Sequence, residues 1–327
     1  MKQLKFILFS TVFFLTTFFV TKTFSQQTVQ KFIRETDYLL SLPDGYNNDT
    51  SVNWPLVIFL HGSGERGSDI EKVKMHGPPK LVAAGKKFPF ILVSPQARDD
   101  ENGWDAVQLY HMLSNIKQTY RVDADRVYLT GLSMGGFGTW TLATDHPEEF
   151  AAIIPICGGG DTAKAWRLRN MPVWCFHGAL DNVVPVTRSE QMVSALKAYN
   201  PSVKFTEYPD LYHNSWERTY NNDSVYTWLL AQRKFRYKEI KLTDRQLNGF
   251  TGTFTGEGGD TITMYTDTAG LHAKTHGQTF LLKASAENVF FLFENVPVDL
   301  EFIRNAKGLY DSFIVFEDNK TLYRKIK

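Results

Sequence analysis

Short apolar runs alternate with helical stretches between about residues 37 and 233. Runs at 56–60, 90–93, 126–130, 152–156, 173–176 and 204–208 read as strands, and continuous apolar character marks the middle four as buried on both faces. Residues 37–43 read as an extra edge strand, with 47–53 as its polar loop. Between the runs, 105–120 has helical spacing, and Val107, Tyr110, Leu113, Ile116 and Tyr120 can share one face. Similar patterns follow Gly135 and cover 187–199 and 215–232. Strands alternating with helices predict an α/β domain, a mostly parallel sheet flanked by helices.

After Arg233 the texture changes. Residues 234–245 are polar, and short alternating segments follow, broken at glycine-rich or Asn/Asp-containing turns such as Gly256-Glu257-Gly258-Gly259 and Asn305-Ala306-Lys307-Gly308. Strands are expected at 261–265, 271–274, 280–283, 289–293, 300–303, 312–316 and 322–325, which makes this a small all-β domain. The chain opens differently again: Lys2 and Lys5 precede an apolar run of about 15 residues, short of the roughly 20 a membrane-spanning helix needs, and small or polar residues follow. That is the plan of a secretory signal peptide, with cleavage expected near Ser25-Gln26 and no cysteine nearby for a lipid anchor. The expected organisation is therefore a signal peptide over 1–25, a catalytic domain over 26–233, a linker over 234–244 and an accessory β domain over 245–327. The mature protein is expected to be exported, periplasmic or extracellular, with no stable membrane insertion.

Composition narrows the picture slightly. With 327 residues, 43% of them apolar, the chain can bury one large core and build a second, smaller domain. Thirty-six basic residues stand against 35 acidic ones, and a net charge of +1 gives no sequence-wide footprint for nucleic acid or an anionic membrane. The two cysteines, Cys157 and Cys175, sit in strand-like apolar runs, so buried free thiols are expected even in an oxidising compartment. Neither a metal nor a cofactor is implied: the one His-x-x-x-His spacing, His272 to His276, runs from an expected strand into a turn and not along a helix face, and no paired acidic spacing of the usual kind accompanies it.

The chemistry is concentrated where the strand Val127-Tyr128-Leu129-Thr130 runs into Gly131-Leu132-Ser133-Met134-Gly135 and then a helical stretch. A serine on so tight a strand-to-helix turn needs glycine two residues before and two after it, and its hydroxyl then stands at a helix N-terminus. Serine is a poor nucleophile without a base, so a carboxylate and a histidine must follow in that order. Asp181 follows the strand at 173–176 and His213 follows the one at 204–208, each at the carboxyl edge where open α/β sheets assemble their sites. The glycine-rich loop His61-Gly62-Ser63-Gly64-Glu65-Arg66-Gly67 supplies backbone donors for an oxyanion hole: the Ser63 or Gly64 N–H together with that of Met134. Asp145, Asp161 and Asp210 are rivals for the acid but do not follow the strand that should carry it. His146, before Pro147, and His177, which should shape the acid loop, are rivals for the base. Glu65, Arg66 and Trp104 lie in loops that can face the substrate, although Glu65 and Arg66 can equally pair locally. Trp216, three residues past the base, is either a substrate contact or an anchor for the last helix.

These segments, with Ser94-Pro95-Gln96, His177-Gly178-Ala179-Leu180-Asp181 and His213-Asn214-Ser215-Trp216, resemble the α/β-hydrolase superfamily over about residues 37–233. Within it they are similar to bacterial secreted esterases related to feruloyl esterases and polyhydroxyalkanoate depolymerases, a group that includes predicted peptidases. Tyr212 departs from the pattern, where glycine is expected before the base. The resemblance implies a serine esterase with a Ser-His-Asp acyl-enzyme mechanism, acting on small-molecule or polysaccharide esters, feruloyl or acetyl esters of plant polysaccharide foremost. An exported serine peptidase would share the same machinery. A reading from another class is a glycan-binding module acting through residues 245–327, of which Phe250 to Lys325 is similar to small β domains appended to some bacterial serine hydrolases.

Overall fold

A computed structural model of the chain describes residues 36–292 and 298–326. The expected signal peptide, residues 26–35 and Phe293 of the expected strand at 289–293 lie outside them. The apolar runs form a seven-stranded sheet of β1 (Tyr38–Ser41), β2 (Trp54–Leu60), β3 (Ile91–Pro95), β4 (Val122–Leu132), β5 (Ala152–Ile156), β6 (Trp174–Gly178) and β7 (Lys204–Tyr208). The strand order is β1-β3-β2-β4-β5-β6-β7. β1 is antiparallel to β3 and every other pairing is parallel. β4 begins at Val122, earlier than the apolar run suggests, because its polar first half pairs with Trp54 across a register shift.

Helices cover both faces. On one face α2 (Ala106–Thr119), α3 (Met134–Asp145) and α4 (Thr187–Lys197) bury Leu109, Leu113, Ile116, Trp140, Met192 and Leu196. On the other, α1 (Gly77–Ala83), α5 (Ser215–Tyr220) and α6 (Asp223–Leu230) pack around Phe88, Phe90, Tyr220 and Tyr226. Val107 does not join the inward face of α2 but is 64% exposed. The buried stripe is 109, 113 and 116, and a residue two before Leu109 lies on the far side of a 3.6-residue turn. The single helix expected over 215–232 is two. Asn221 ends α5, and the Asn222 side chain caps α6 by accepting from Ser224 N–H.

The C-terminal strands close into a barrel, all antiparallel, after a short helix α7 (Asp244–Asn248) that opens with a Thr243/Gln246 capping box. They are β8 (Gly252–Gly256), β9 (Thr261–Asp267), β10 (Gly270–Thr275), β11 (Gln278–Ala284), β12 (Val289–Phe291), β13 (Asp299–Arg304), β14 (Tyr310–Phe316) and β15 (Lys320–Lys325). β8, absent from the sequence reading, is the strand that closes the circle by pairing with both β15 and β9. Closure leaves no open edge, and the interior is filled by Phe250, Phe254, Phe290, Phe302 and Phe313. Among the described residues no helix is long and apolar enough to cross a membrane.

Candidate active site

β4 and α3 meet at Ser133, whose backbone sits at φ 53° and ψ −116°, a strained conformation for a residue with a side chain. A Cβ at Gly131 would lie 2.3 Å from Gly135 O, and one at Gly135 would lie 2.0 Å from Leu60 O, so the turn accepts only glycine at both places. The Ser133 N–H donates to Ile156 O at 3.0 Å, tying the turn to β5.

The loops after β6 and β7 bring Asp181 and His213 to this turn. They are zipped together by Ala179 N–H to Tyr208 O at 2.9 Å and Leu180 N–H to Leu211 O at 3.0 Å. The Ser133 hydroxyl donates to His213 Nε2 at 2.9 Å, and the His213 Nδ1–H donates to Asp181 Oδ2 at 2.7 Å. The proton is assigned to Nδ1 because that nitrogen faces a carboxylate. Asp181 Oδ1 accepts the Val183 and Val184 N–H groups at 2.9 Å each. Burial pushes the Asp181 carboxyl up, but the hydrogen bonds from His213, Val184 and Val183 outweigh it and hold the group below the usual carboxylate range. Asp181 therefore stays an anion with its side chain wholly buried.

The rivals are engaged elsewhere. Asp145 pairs with Lys164, Asp161 accepts from Ala163 N–H, and Asp210 forms a two-pronged pair with Arg218. His146 stacks on Tyr110 with ring centroids 3.9 Å apart. His177 does reach the site: its Nε2 lies 3.1 Å from Asp181 Oδ2.

Ser63 and Gly64 are exposed in a 3-10 turn, Ser63–Glu65, directly after β2. Met134 opens α3, where first-turn N–H groups have no acceptor within the helix. The loop is held from beneath by His61, a residue the sequence placed in the motif without a role. Its Nδ1–H donates to Gly62 O at 2.6 Å and its Nε2 accepts from Ala97 N–H at 3.0 Å. Burial pushes this imidazole down to about 4, so it is neutral near pH 7 and its tautomer is set. Trp104 reinforces the loop, its indole N–H donating to His61 O at 3.2 Å and its ring packing on that of His61. Arg66 is a staple as well, donating to Ser63 O at 3.1 Å and Glu101 O at 2.7 Å.

Glu65 and Arg66 do not pair with each other. The Glu65 carboxyl is buried beside Gly62 and faces His76 Nε2 at 3.9 Å, and burial raises it above the usual range although His76 pulls it back. Trp216 is buried edge-on between the rings of His213 (5.1 Å) and His76 (5.4 Å), and its Nε1 has no hydrogen-bond partner among the described residues. His76, whose Nδ1–H donates to Glu217 Oε1 at 3.1 Å, had no signal in the sequence, because it lies in an aperiodic segment before Gly77-Pro78-Pro79.

Cys157 enters from the end of β5 at φ 41°, and its sulfur lies within 4.8 Å of ligand atoms of both Asp181 and His213. Both oxygens of Asp181 are already engaged by N–H donors, and burial pushes the Cys157 thiol far up, so it meets them as neutral S–H. Cys175 is free and buried too, its thiol pushed up to about 12 by burial. A thiol reagent such as Ellman's should accordingly find no sulfhydryl in the folded protein and two after unfolding. Reaction of either thiol in the native state would show that the site opens.

Residues 48–228, more than half of the chain, match the Abhydrolase_2 family, described as phospholipase/carboxylesterase. The chain belongs to that family. It is 26% identical over 204 residues, 61% of its length, to a bifunctional acetylxylan esterase/xylanase of Neocallimastix patriciarum, of which it covers 29%. It is 23% identical over 172 residues, 51% of its length, to a probable feruloyl esterase C of Aspergillus flavus, covering 63% of that protein. The chain thus spans less than two thirds of either relative. Among solved structures, a thermostable esterase superposes with a TM-score of 0.51 at 35% identity, over 60% of this chain and 59% of the other.

Proposed function

We propose that this phospholipase/carboxylesterase family member is an exported serine esterase in which Ser133, His213 and Asp181 form the catalytic triad. The observation that supports it most is the continuous chain from hydroxyl to imidazole to buried carboxylate, at 2.9 and 2.7 Å. Ser133 attacks the ester carbonyl while His213 takes its proton, and Asp181 stabilises the imidazolium. The N–H of Met134 and that of Ser63 or Gly64 hold the oxyanion, protonated His213 returns its proton to the departing alcohol, and water repeats the cycle to release the acid. No cofactor takes part in these steps.

The substrate we infer is an acyl ester, feruloyl or acetyl, carried on plant polysaccharide. The acetylxylan and feruloyl esterase relatives support this reading. So does the rim of the site, where Leu180, Val183 and Tyr212 stand exposed on the two loops that bear the acid and the base. A bulky acyl or sugar group can lie against such a rim, to which Tyr212, in place of glycine, supplies a ring. The test is a substrate screen of the purified protein, measuring ferulate and acetate released from feruloylated and acetylated xylan against amine released from peptides. Ester cleavage without amide cleavage is expected, and amine release at comparable rates would overturn the esterase assignment.

A further inference from the structure

The acid of the triad is held by two histidines, and the mechanism uses only one. His177, at the end of β6, is fully buried, and its Nε2 faces acceptors only: Asp181 Oδ2 at 3.1 Å and Val184 O at 2.9 Å. That nitrogen must carry the proton. On the other side of the ring, Nδ1 meets the Ser189 hydroxyl of α4 at 2.7 Å. The Ser189 hydroxyl also meets Gly158 O at 2.8 Å and has one proton to give, so the tautomer rests on Nε2, whose two neighbours can only accept. Asp181 Oδ2 consequently accepts two imidazole N–H groups, from His213 and His177, while Oδ1 accepts two backbone N–H groups.

We propose that His177 is a positioning residue for the reaction, locking Asp181 Oδ2 in place and drawing on its charge, and so limiting how strongly that oxygen holds the imidazolium formed at His213. This rests on the triad reading above. The physical argument is a competition for one oxygen. Each donor to Oδ2 disperses its negative charge, so losing the His177 donor leaves a more negative, less constrained carboxylate facing His213. The imidazolium is then favoured over the free base, and a larger share of the enzyme is protonated and idle near neutral pH. The other titratable groups around the pair are Cys157 after β5, Cys175 of β6 at the Ser189 hydroxyl, and, across the Trp216 ring, His76 with Glu65 and Glu217.

The experiment compares wild type, His177→Phe and His177→Gln in the pH profile of kcat/KM for p-nitrophenyl acetate, with thermal unfolding of each. A glutamine amide nitrogen can stand where Nε2 stood and donate to the same oxygen. His177→Phe is expected to lose about 10²-fold in kcat with little change in KM. Its acid limb is expected to move to higher pH by about half a unit or more. His177→Gln should return the limb to its wild-type position and recover most of kcat. If His177→Phe does not fold, His177→Leu takes its place, because it too removes the donor to Asp181 Oδ2 and should displace the limb in the same direction. An unmoved limb in the folded variant, or no recovery in His177→Gln, overturns the proposal. Labelling of Ser133 by a fluorophosphonate, dependent on His213, is measured alongside: its absence overturns the triad and this proposal together, whereas labelling with an unmoved limb overturns this proposal alone.

Discussion

Replacing Ser133 with alanine is expected to lower kcat for ester hydrolysis by about 10⁶-fold, and His213→Ala by a comparable factor, with the double variant hardly worse than either. The reason is that in the proposed triad the three side chains act as one device. The hydroxyl is nucleophilic only as its proton passes to His213 Nε2 at 2.9 Å, so removing either end of that bond removes the same step. Asp181→Asn should cost less, about 10⁴-fold, because the amide can still touch Nδ1 but presents it with the wrong hydrogen-bond polarity. A residue of catalysis, about 10³-fold over water, should survive in all of them from the oxyanion donors and binding. Measured single and double losses that multiply, giving a double variant far below either single one, would show that Ser133 and His213 act separately and would sink the triad.

Much of the candidate site's geometry was legible in the sequence because each of its pieces is local. The Ser133 turn announces itself through Gly131 and Gly135, which a tight backbone crossing demands, and Asp181 and His213 each follow an apolar run long enough to read as a strand. What escaped depends on contacts between segments far apart. His61 lies in the motif, yet its role rests on a bond from Ala97, 36 positions later. Trp104 and Arg66 looked available to substrate because their partners are backbone carbonyls at 61, 63 and 101, and no side-chain pattern encodes a carbonyl's direction. His177 was read as a shaper of its loop and does hold that loop at Val184 O, but its Nε2 also faces the Asp181 carboxylate, which no local pattern shows.

In the fold, the errors have the same origin. Val107 is apolar and near the helical stripe, but the stripe's phase is set by which residues meet the sheet, and that places Leu109 inward. β8 is short and rich in glycine and threonine, and becomes a strand only because β15 and β9 leave a gap of one strand between them. The segment around 162–168, a 3-10 stretch with no periodic signal, is where the barrel docks: Trp166 meets Phe316 at 5.7 Å and Arg167 donates to Asp318 O at 3.1 Å.

That docking surface is expected to be the site of the largest stability effect in the molecule. Arg169, just after the 3-10 stretch, pairs with Asp299 of β13, and both side chains are less than a tenth exposed. The Arg169 guanidinium also lies 4.6 Å over the Phe316 ring, and Tyr237 stacks on Phe291 at 5.0 Å while its hydroxyl accepts from Asn170 at 3.2 Å. Removing one partner leaves the other charge buried, so Asp299→Ala and Arg169→Ala should each destabilise the protein by about 3–5 kcal/mol. The pair itself contributes far less than that. Burial pushes the Asp299 carboxyl above its usual range even though Arg169 and Tyr237 pull it back, which means that desolvation outweighs the attraction. A carboxyl raised in the folded state binds more protons there than when unfolded, so its contribution to stability falls as pH rises from the unfolded carboxylate value through the folded one. The double replacement Arg169→Met with Asp299→Leu should therefore be neutral or stabilising by about 1–4 kcal/mol, and should remove that pH dependence. Calorimetric unfolding of the two single variants and the double one decides it. If the double variant instead loses as much as either single one, the pair stabilises the protein by its net attraction, and the barrel is fixed to the hydrolase core by charge and not by the packing of Trp166, Phe316, Tyr237 and Phe291.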